Sequence, residues 1–210
     1  MKKVFFSLVL FCLSSVLYSH PHMWFDCEFE FEFSQEKLKG VKVIWTFDKF
    51  FSSDIIAGYD KNRDGFFNKQ ETADIFQNAF SYTRNYYYFT FIRAGRERFS
   101  PKRIELHNFV AKQKNGVLIY EFYINLTGYN GNEIYIACYD YTYFCDIGYT
   151  KNCVRFSGIN RKPNYTIIED KNNPIYYNPI GAIDDTRIYT KWAPGLNVYY
   201  PKEIKLSLSF

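Results

Sequence analysis

Histidine is scarce in this chain, with three in 210 residues. So few imidazoles, and no nucleophile–base pair that stands out, argue against a hydrolase and give no reason to expect an enzyme. Long apolar runs are missing. Beyond Val4–Leu13, no stretch approaches the roughly 20 apolar residues that span a bilayer. The end of the chain, with Ile204, Leu206 and Leu208 alternating before Phe210, has the look of a barrel terminus, but the repeated lipid-facing strands of an outer-membrane barrel are absent. Excess charge is also absent. The formal net charge of +4 falls to +2 without Lys2 and Lys3, which leaves no basic patch and no nucleic-acid module, so a nucleic-acid partner is not expected. The paired C-x₂₋₄-C spacings of a Cys₄ zinc site are missing too.

What the chain has in quantity is aromatic residues, 21% of the total, with 20 Tyr and 22 Phe. Such residues favour pleated strands. From Trp24 to Phe33, Phe25, Cys27, Phe29, Phe31 and Phe33 alternate with Asp26, Glu28, Glu30 and Glu32, the period-two signature of a half-buried strand. Gly40 is read as the end of a turn and Val41–Phe47 as the return strand. Further strands are expected at Tyr86–Arg93, Arg103–Lys112, Val117–Leu126, Glu133–Tyr139 and Phe144–Phe156, with Asn115-Gly116 as a hairpin turn. Tyr165–Glu169 and Ile204–Phe210 are candidate strands in an otherwise irregular tail. The expected fold is mainly β (α+β), an antiparallel β-sandwich-like domain with an inserted helix–loop–helix.

The insertion carries the sharpest motif. Asp48–Tyr59 has helically spaced Phe50, Phe51, Ile55 and Ile56, and Ile75, Phe76, Ala79 and Phe80 form a stripe on a second helix. Between them runs Asp60-Lys-Asn-Arg-Asp-Gly-Phe-Phe-Asn-Lys-Gln-Glu71. Ca²⁺ takes six to eight oxygens, and an EF-hand loop supplies them from positions 1, 3, 5, 7, 9 and 12 with glycine at 6. Those positions are Asp60, Asn62, Asp64, the Phe66 carbonyl, Asn68 and Glu71, with Gly65 at the sixth and apolar Phe67 at the eighth as an anchor into the core. Lys61, Arg63 and Lys69 dilute the acidic field, so an unpaired loop of this kind suits the weak range of about 10⁻⁴–10⁻³ M. That is a permanent clip rather than a switch.

Met1–Ser19 reads as a secretory signal peptide, with Lys2 and Lys3 ahead of a short apolar run. Cleavage after Ser19 would give an exported, periplasmic protein starting His20-Pro21-His22. Its free amine, His20 and His22 form a nitrogen-rich set suited to Zn²⁺, Ni²⁺ or Cu²⁺. Pro21 has no N–H, so the square-planar site made from backbone amides cannot form. His107, in an expected strand, is a further candidate ligand. A copper oxygenase built on an N-terminal histidine would also depend on His107. Of the five cysteines, Cys12 leaves with the signal. Cys27, Cys138, Cys145 and Cys153 are an even set in an oxidising compartment and are candidate disulfide residues. Of the three connectivities, Cys145 with Cys153 is the pairing chosen.

His20-Pro21-His22-Met23-Trp24, Trp45-Thr46-Phe47-Asp48-Lys49-Phe50-Phe51, Asp60–Glu71, Tyr88-Phe89-Thr90-Phe91 and Tyr139-Asp140-Tyr141-Thr142-Tyr143-Phe144 together resemble domain-of-unknown-function family 1007. The resemblance runs from His20 to about Asp170. It implies a periplasmic component associated with ABC-type, divalent-metal transport, with His20 and His22 contacting metal and an inner-membrane transporter as partner. The expected organisation is a signal at 1–19, a β domain at 20–170 with the insertion at 48–82, and an irregular extension at 171–210. A calcium-stabilised interaction module without transition-metal function is the alternative.

Overall fold

The computed structural model describes residues 21–94, 97–98, 104–180 and 187–209. In chain order the elements are β1 (Met23–Ser34), β2 (Lys37–Phe47), α1 (Lys49–Tyr59), α2 (Lys69–Asn78), a 3₁₀ segment (Phe80–Phe89), β3 (Thr90–Ala94), β4 (Glu97–Arg98), β5 (Leu106–Lys114), β6 (Val117–Asn125), β7 (Glu133–Cys138), β8 (Cys145–Ser157), β9 (Tyr165–Glu169), β10 (Ile175–Tyr177), β11 (Asn197–Tyr199) and β12 (Lys202–Ser207). The fold is mainly β, as expected.

Alternation in β1 does what the sequence requires. Phe25, Cys27, Phe29, Phe31 and Phe33 are buried, while the acidic residues between them face outward. One five-stranded sheet runs β5-β6-β2-β1-β8 and a second runs β4-β3-β7-β12-β9. Phe29, Val43 and Phe122 of the first and Ile134, Ile136, Ile204 and Leu206 of the second belong to one buried cluster, so each sheet supplies half of a shared core. The Asn115-Gly116 hairpin forms with positive φ at both residues (53° and 73°), the twist that suits two-residue turns.

Four expectations change. The β1–β2 turn is made by Gln35 and Glu36, both at positive φ. Gly40 lies within β2, where a Cβ would collide with the Tyr123 hydroxyl and the Ile124 carbonyl. β8 pairs with β1 in parallel: the chain arrives there from β7 of the other sheet, a crossover that permits parallel pairing where a tight hairpin does not. Tyr86–Phe89 is not strand but part of the 3₁₀ segment, with left-handed φ at Tyr87, Tyr88 and Phe89. Packing of Phe89 on Trp45 and Tyr86 overrides the β-propensity of the aromatics. The tail after residue 170 is not an appendage. β12 is flanked by β7 and β9, and its Ile204 and Leu206 are fully buried.

The insertion is tied down on both sides. Asp48 caps α1, accepting the N–H groups of Phe50 and Phe51 at 2.7 and 3.0 Å. Buried Ser52 donates to the Asp48 carbonyl and accepts the Leu118 N–H at 2.9 Å, joining α1 to β6. No helix among the described residues is long and apolar enough to cross a membrane.

Candidate metal centre

The segment between α1 and α2 folds inward around its own carboxylates. Asp60 ends α1, Asn68 caps α2, and Glu71 sits in the first turn of α2. Asn62 Oδ1 accepts the Asp64 N–H at 3.2 Å, Asn62 Nδ2 donates to Asp64 Oδ2 at 2.7 Å, and Asp64 Oδ1 accepts the Phe66 N–H at 2.9 Å. Gly65 has φ +84°, a conformation that glycine adopts without penalty. Its N–H donates to Asp60 Oδ2 at 3.2 Å. Phe67 packs against the core, as expected of the eighth position.

Two of the carboxylates are buried: Asp60 is 8% exposed and Glu71 4%. Glu71 Oε1 accepts the Lys61 N–H at 2.7 Å and Oε2 the Asn68 N–H at 2.9 Å. Asn68 Oδ1 returns the favour to the N–H groups of Gln70 and Glu71, completing a capping box. Asp60 Oδ2 takes a second hydrogen bond from Gln113 Nε2 of β5 at 2.8 Å. Asp60 Oδ1 is buried with no hydrogen-bond partner. Among the described residues no lysine or arginine pairs with Asp60 or Glu71; Lys61 Nζ turns instead to the Gly58 carbonyl. Burying carboxylates without a cation is costly, and an orphaned carboxylate oxygen beside a loop of oxygen donors is what a hard cation completes. Asp60, Asn62, Asp64, the Phe66 carbonyl and Glu71 carry oxygen donors of the kind Ca²⁺ takes, with both Glu71 oxygens held by the Lys61 and Asn68 N–H groups. Asn68 Oδ1 is already committed as the helix cap. No three His, Cys, Asp or Glu side chains among the described residues converge as a preformed metal cage, so Asp60, Asp64 and Glu71 do not close on one point in this structure.

Gln113 was not singled out from sequence. Its signal was a polar side chain with the same strand parity as buried Ala111, hence pointing toward the insertion.

The two described histidines, His22 and His107, do not converge. His20 lies outside the described residues. His22 is held in place, its N–H donating to the Phe144 carbonyl at 2.8 Å and its ring 5.0 Å from the Phe144 ring. His107 belongs to the row His107–Tyr123–Lys42–Glu30, three strands across from β1 and eight residues along from His22. That is roughly 14 Å by 26 Å, so His107 cannot share a metal with His22.

The four described cysteines, Cys27, Cys138, Cys145 and Cys153, are free and buried, and the Cys145–Cys153 pairing is ruled out by register. Cys145 lies opposite Met23 and Val154 opposite Phe29, which puts Cys145 and Cys153 roughly 17 Å apart, against a Cα limit near ~7 Å for a disulfide. The two that meet are Cys27 and Cys138, whose thiols touch across the two sheets. Beside them is Tyr149, paired with Cys27 in the ladder, its hydroxyl accepting the Cys138 N–H at 2.7 Å and donating to the Lys202 carbonyl at 3.0 Å. Burial raises the Cys27 and Cys145 thiols well above their usual range and raises Cys153 as well.

Asp140 serves structure. It accepts the Thr142 N–H and hydroxyl, both at 2.8 Å, and the Cys145 N–H at 3.0 Å, which fixes the turn that carries the chain between the sheets. Burial raises its pKa above the ordinary carboxylate value despite those donors.

Neither the curated proteins nor the solved structures contain a match to this chain. One family profile, described as a protein of unknown function (DUF1007), matches residues 5–208. The match continues past Asp170, where the motif resemblance stops, and takes in β12. This chain belongs to the DUF1007 family.

Proposed function

We propose that this is an exported β-sandwich module whose helix–loop–helix insertion is clipped to the sheet by one Ca²⁺, and that it acts through contacts with a partner protein. The observation that carries the reading is Asp60: a buried carboxylate with one orphaned oxygen, surrounded by oxygen donors and tethered to β5 through Gln113. Calcium there supplies positive charge that joins α1, α2 and β5, and no reaction is required of it. The insertion also leaves Phe50 and Phe66 exposed, at 78% and 71%. Exposed aromatics on a small, fixed element suit a protein contact.

A second reading makes the protein the accessory of a divalent-metal transporter, with His20 and His22 contacting the metal. It is favoured by the fixed position of His22 against Phe144, which is not that of a frayed terminus. Elemental analysis of protein isolated from the exported fraction separates the two. Calcium alone, lost in an Asp60→Asn, Glu71→Gln protein, supports the first. A transition-metal equivalent that disappears in a His20→Ala, His22→Ala protein supports the second. An exported protein that takes up no calcium when equilibrated with about 10 mM of the ion, well above the expected range, overturns the first.

A further inference from the structure

Two of the buried thiols belong to opposite sheets and to the same interior. Cys27 stands on the inner face of β1 between Phe25 and Phe29, and Cys138 ends β7 on the face that carries Ile134 and Ile136. All six side chains belong to one buried cluster, whereas Ala137 and Tyr139, of the other parity in the chain, belong to a second. Both cysteines therefore point into the gap between the sheets.

Tyr149 shows how close the two strands come. It is the ladder partner of Cys27 in β8, its ring meets that of Phe29 edge-on at 5.7 Å, and its hydroxyl accepts the Cys138 N–H at 2.7 Å. A side chain rooted beside Cys27 thus reaches the Cys138 backbone in one hydrogen bond and holds the end of β7 over Cys27, where the two thiols touch. The other two cysteines are placed elsewhere. Cys145 lies opposite Met23, four residues along β1 from Cys27 and so roughly 13 Å away, and its N–H is bonded to Asp140. Cys153 lies in the irregular stretch of β8 between the partners of Cys27 and Phe29.

We infer that Cys27 and Cys138 are a redox-formed staple, joined as a disulfide between the two sheets once the chain meets an external disulfide, while Cys145 and Cys153 stay thiols. The inference rests on the exported setting of the proposed function for its oxidant and on nothing in the calcium loop. The step is thiol–disulfide exchange with a small or protein-borne disulfide. The thiolate of one cysteine attacks that disulfide, whose S–S bond breaks to release one half as a thiolate. The second cysteine, as thiolate, attacks the mixed disulfide and releases the other half. Two protein thiols are oxidised, one external disulfide is reduced to two thiols, and the two protons pass to the leaving groups. Because the thiolate is the attacking species and both sulfurs are buried in the folded chain, the exchange takes place before the sheets close. The bond would close a loop of about 110 residues that includes the whole insertion, and long loops gain most from such a link.

The test is oxidative refolding of the chain that begins at His20 in a glutathione redox buffer, which supplies the oxidant whether or not the protein is exported in the cell. Expected are two titratable thiols in denaturant in place of four, a mass lower by two hydrogens, and one cross-linked peptide pair joining Cys27 to Cys138. Reduction should lower the thermal midpoint by about 10 °C, a shift that Cys27→Ala and Cys138→Ala abolish. A Cys145→Ala, Cys153→Ala chain retains only the proposed pair and should show no free thiol after refolding, so the inference can be tested even where the first two variants fail to fold. Four thiols after refolding, a cross-linked pair that includes Cys145 or Cys153, or a midpoint that reduction leaves unchanged overturns it. A chain that forms the Cys27–Cys138 bond in this buffer yet is found reduced in cells supports the pairing and overturns the exported setting.

Discussion

The Gln113 side-chain amide donates to Asp60 Oδ2 at 2.8 Å across 53 residues of chain, so a strand of the first sheet holds the opening residue of the cation loop. With Ser52 bonded to the Leu118 N–H, it gives the insertion two polar tethers to one β-hairpin, β5–β6. The loop is therefore not a free-standing helix pair: its geometry is set partly by the sandwich.

Replacing Gln113 by Ala removes the outside donor to Asp60 and leaves Oδ2 with the Gly65 N–H alone. A loss of about 1–2 kcal/mol is expected, read as a fall in thermal midpoint of a few degrees for a chain of this size. Calcium affinity should weaken at the same time. A variant whose midpoint and calcium response both match the wild type would show that the tether does not position the loop.

Gly65 occupies φ +84° with nothing within 4 Å of an added Cβ. Gly65→Ala therefore tests conformation without a clash. A cost of about 1 kcal/mol is expected from the left-handed backbone, together with weaker calcium binding, measured by thermal denaturation with and without the ion.

How far the fold could be read from sequence differed by element. β1, the β5–β6 hairpin and the two helices of the insertion were legible because each states its structure locally, by strict alternation, by Asn-Gly, and by helically spaced apolar residues. The place of β12 was not. Its alternating Ile204 and Leu206 mark a strand, but nothing in the sequence says that it enters between β7 and β9. Parallel pairing of β8 with β1 is non-local in the same way. At the site, the tether of Asp60 to Gln113 was not legible. The Cys145–Cys153 pairing failed because both residues occupy one strand, a register fact that spacing does not reveal.

The tail is held by a charge pair. Arg93 of β3 reaches over the Tyr135 ring of β7, 3.7 Å from its centroid, to Glu203 of β12 at 2.6 Å. Glu203 is 2% exposed, and the Arg93 guanidinium is held above its ordinary range by that carboxylate. Glu203→Ala removes the buried carboxylate that Arg93 is bonded to, for a loss of roughly 3–5 kcal/mol, measured by denaturant unfolding. A chain ending at Asp170 lacks β12 and should fail to fold. A folded, cooperative truncation would restore the tail to an appendage.

The reduced thiols predict an alkaline weakness. Because burial raises Cys27, Cys145 and Cys153 in the folded chain above the ordinary value of 9.0, the folded state keeps protons that the unfolded state has released. The unfolded chain then binds fewer protons, and stability falls as pH rises above about 9. Under reducing conditions the native protein should resist iodoacetamide at pH 8 and be alkylated at four sites once unfolded. Rapid native alkylation would contradict the burial of these thiols.

The most direct test of the central claim is calcium titration of the protein that begins at His20, by calorimetry and thermal denaturation, beside Glu71→Gln. Glutamine at this position can still serve the capping box, so the variant removes a charged ligand oxygen and leaves the helix start in place. One binding event in the range of about 10⁻⁴–10⁻³ M is expected. It should bring a stabilisation of about 2 kcal/mol near 10 mM calcium, lost or strongly reduced in Glu71→Gln. No heat of binding and an unchanged midpoint at that concentration would contradict the account.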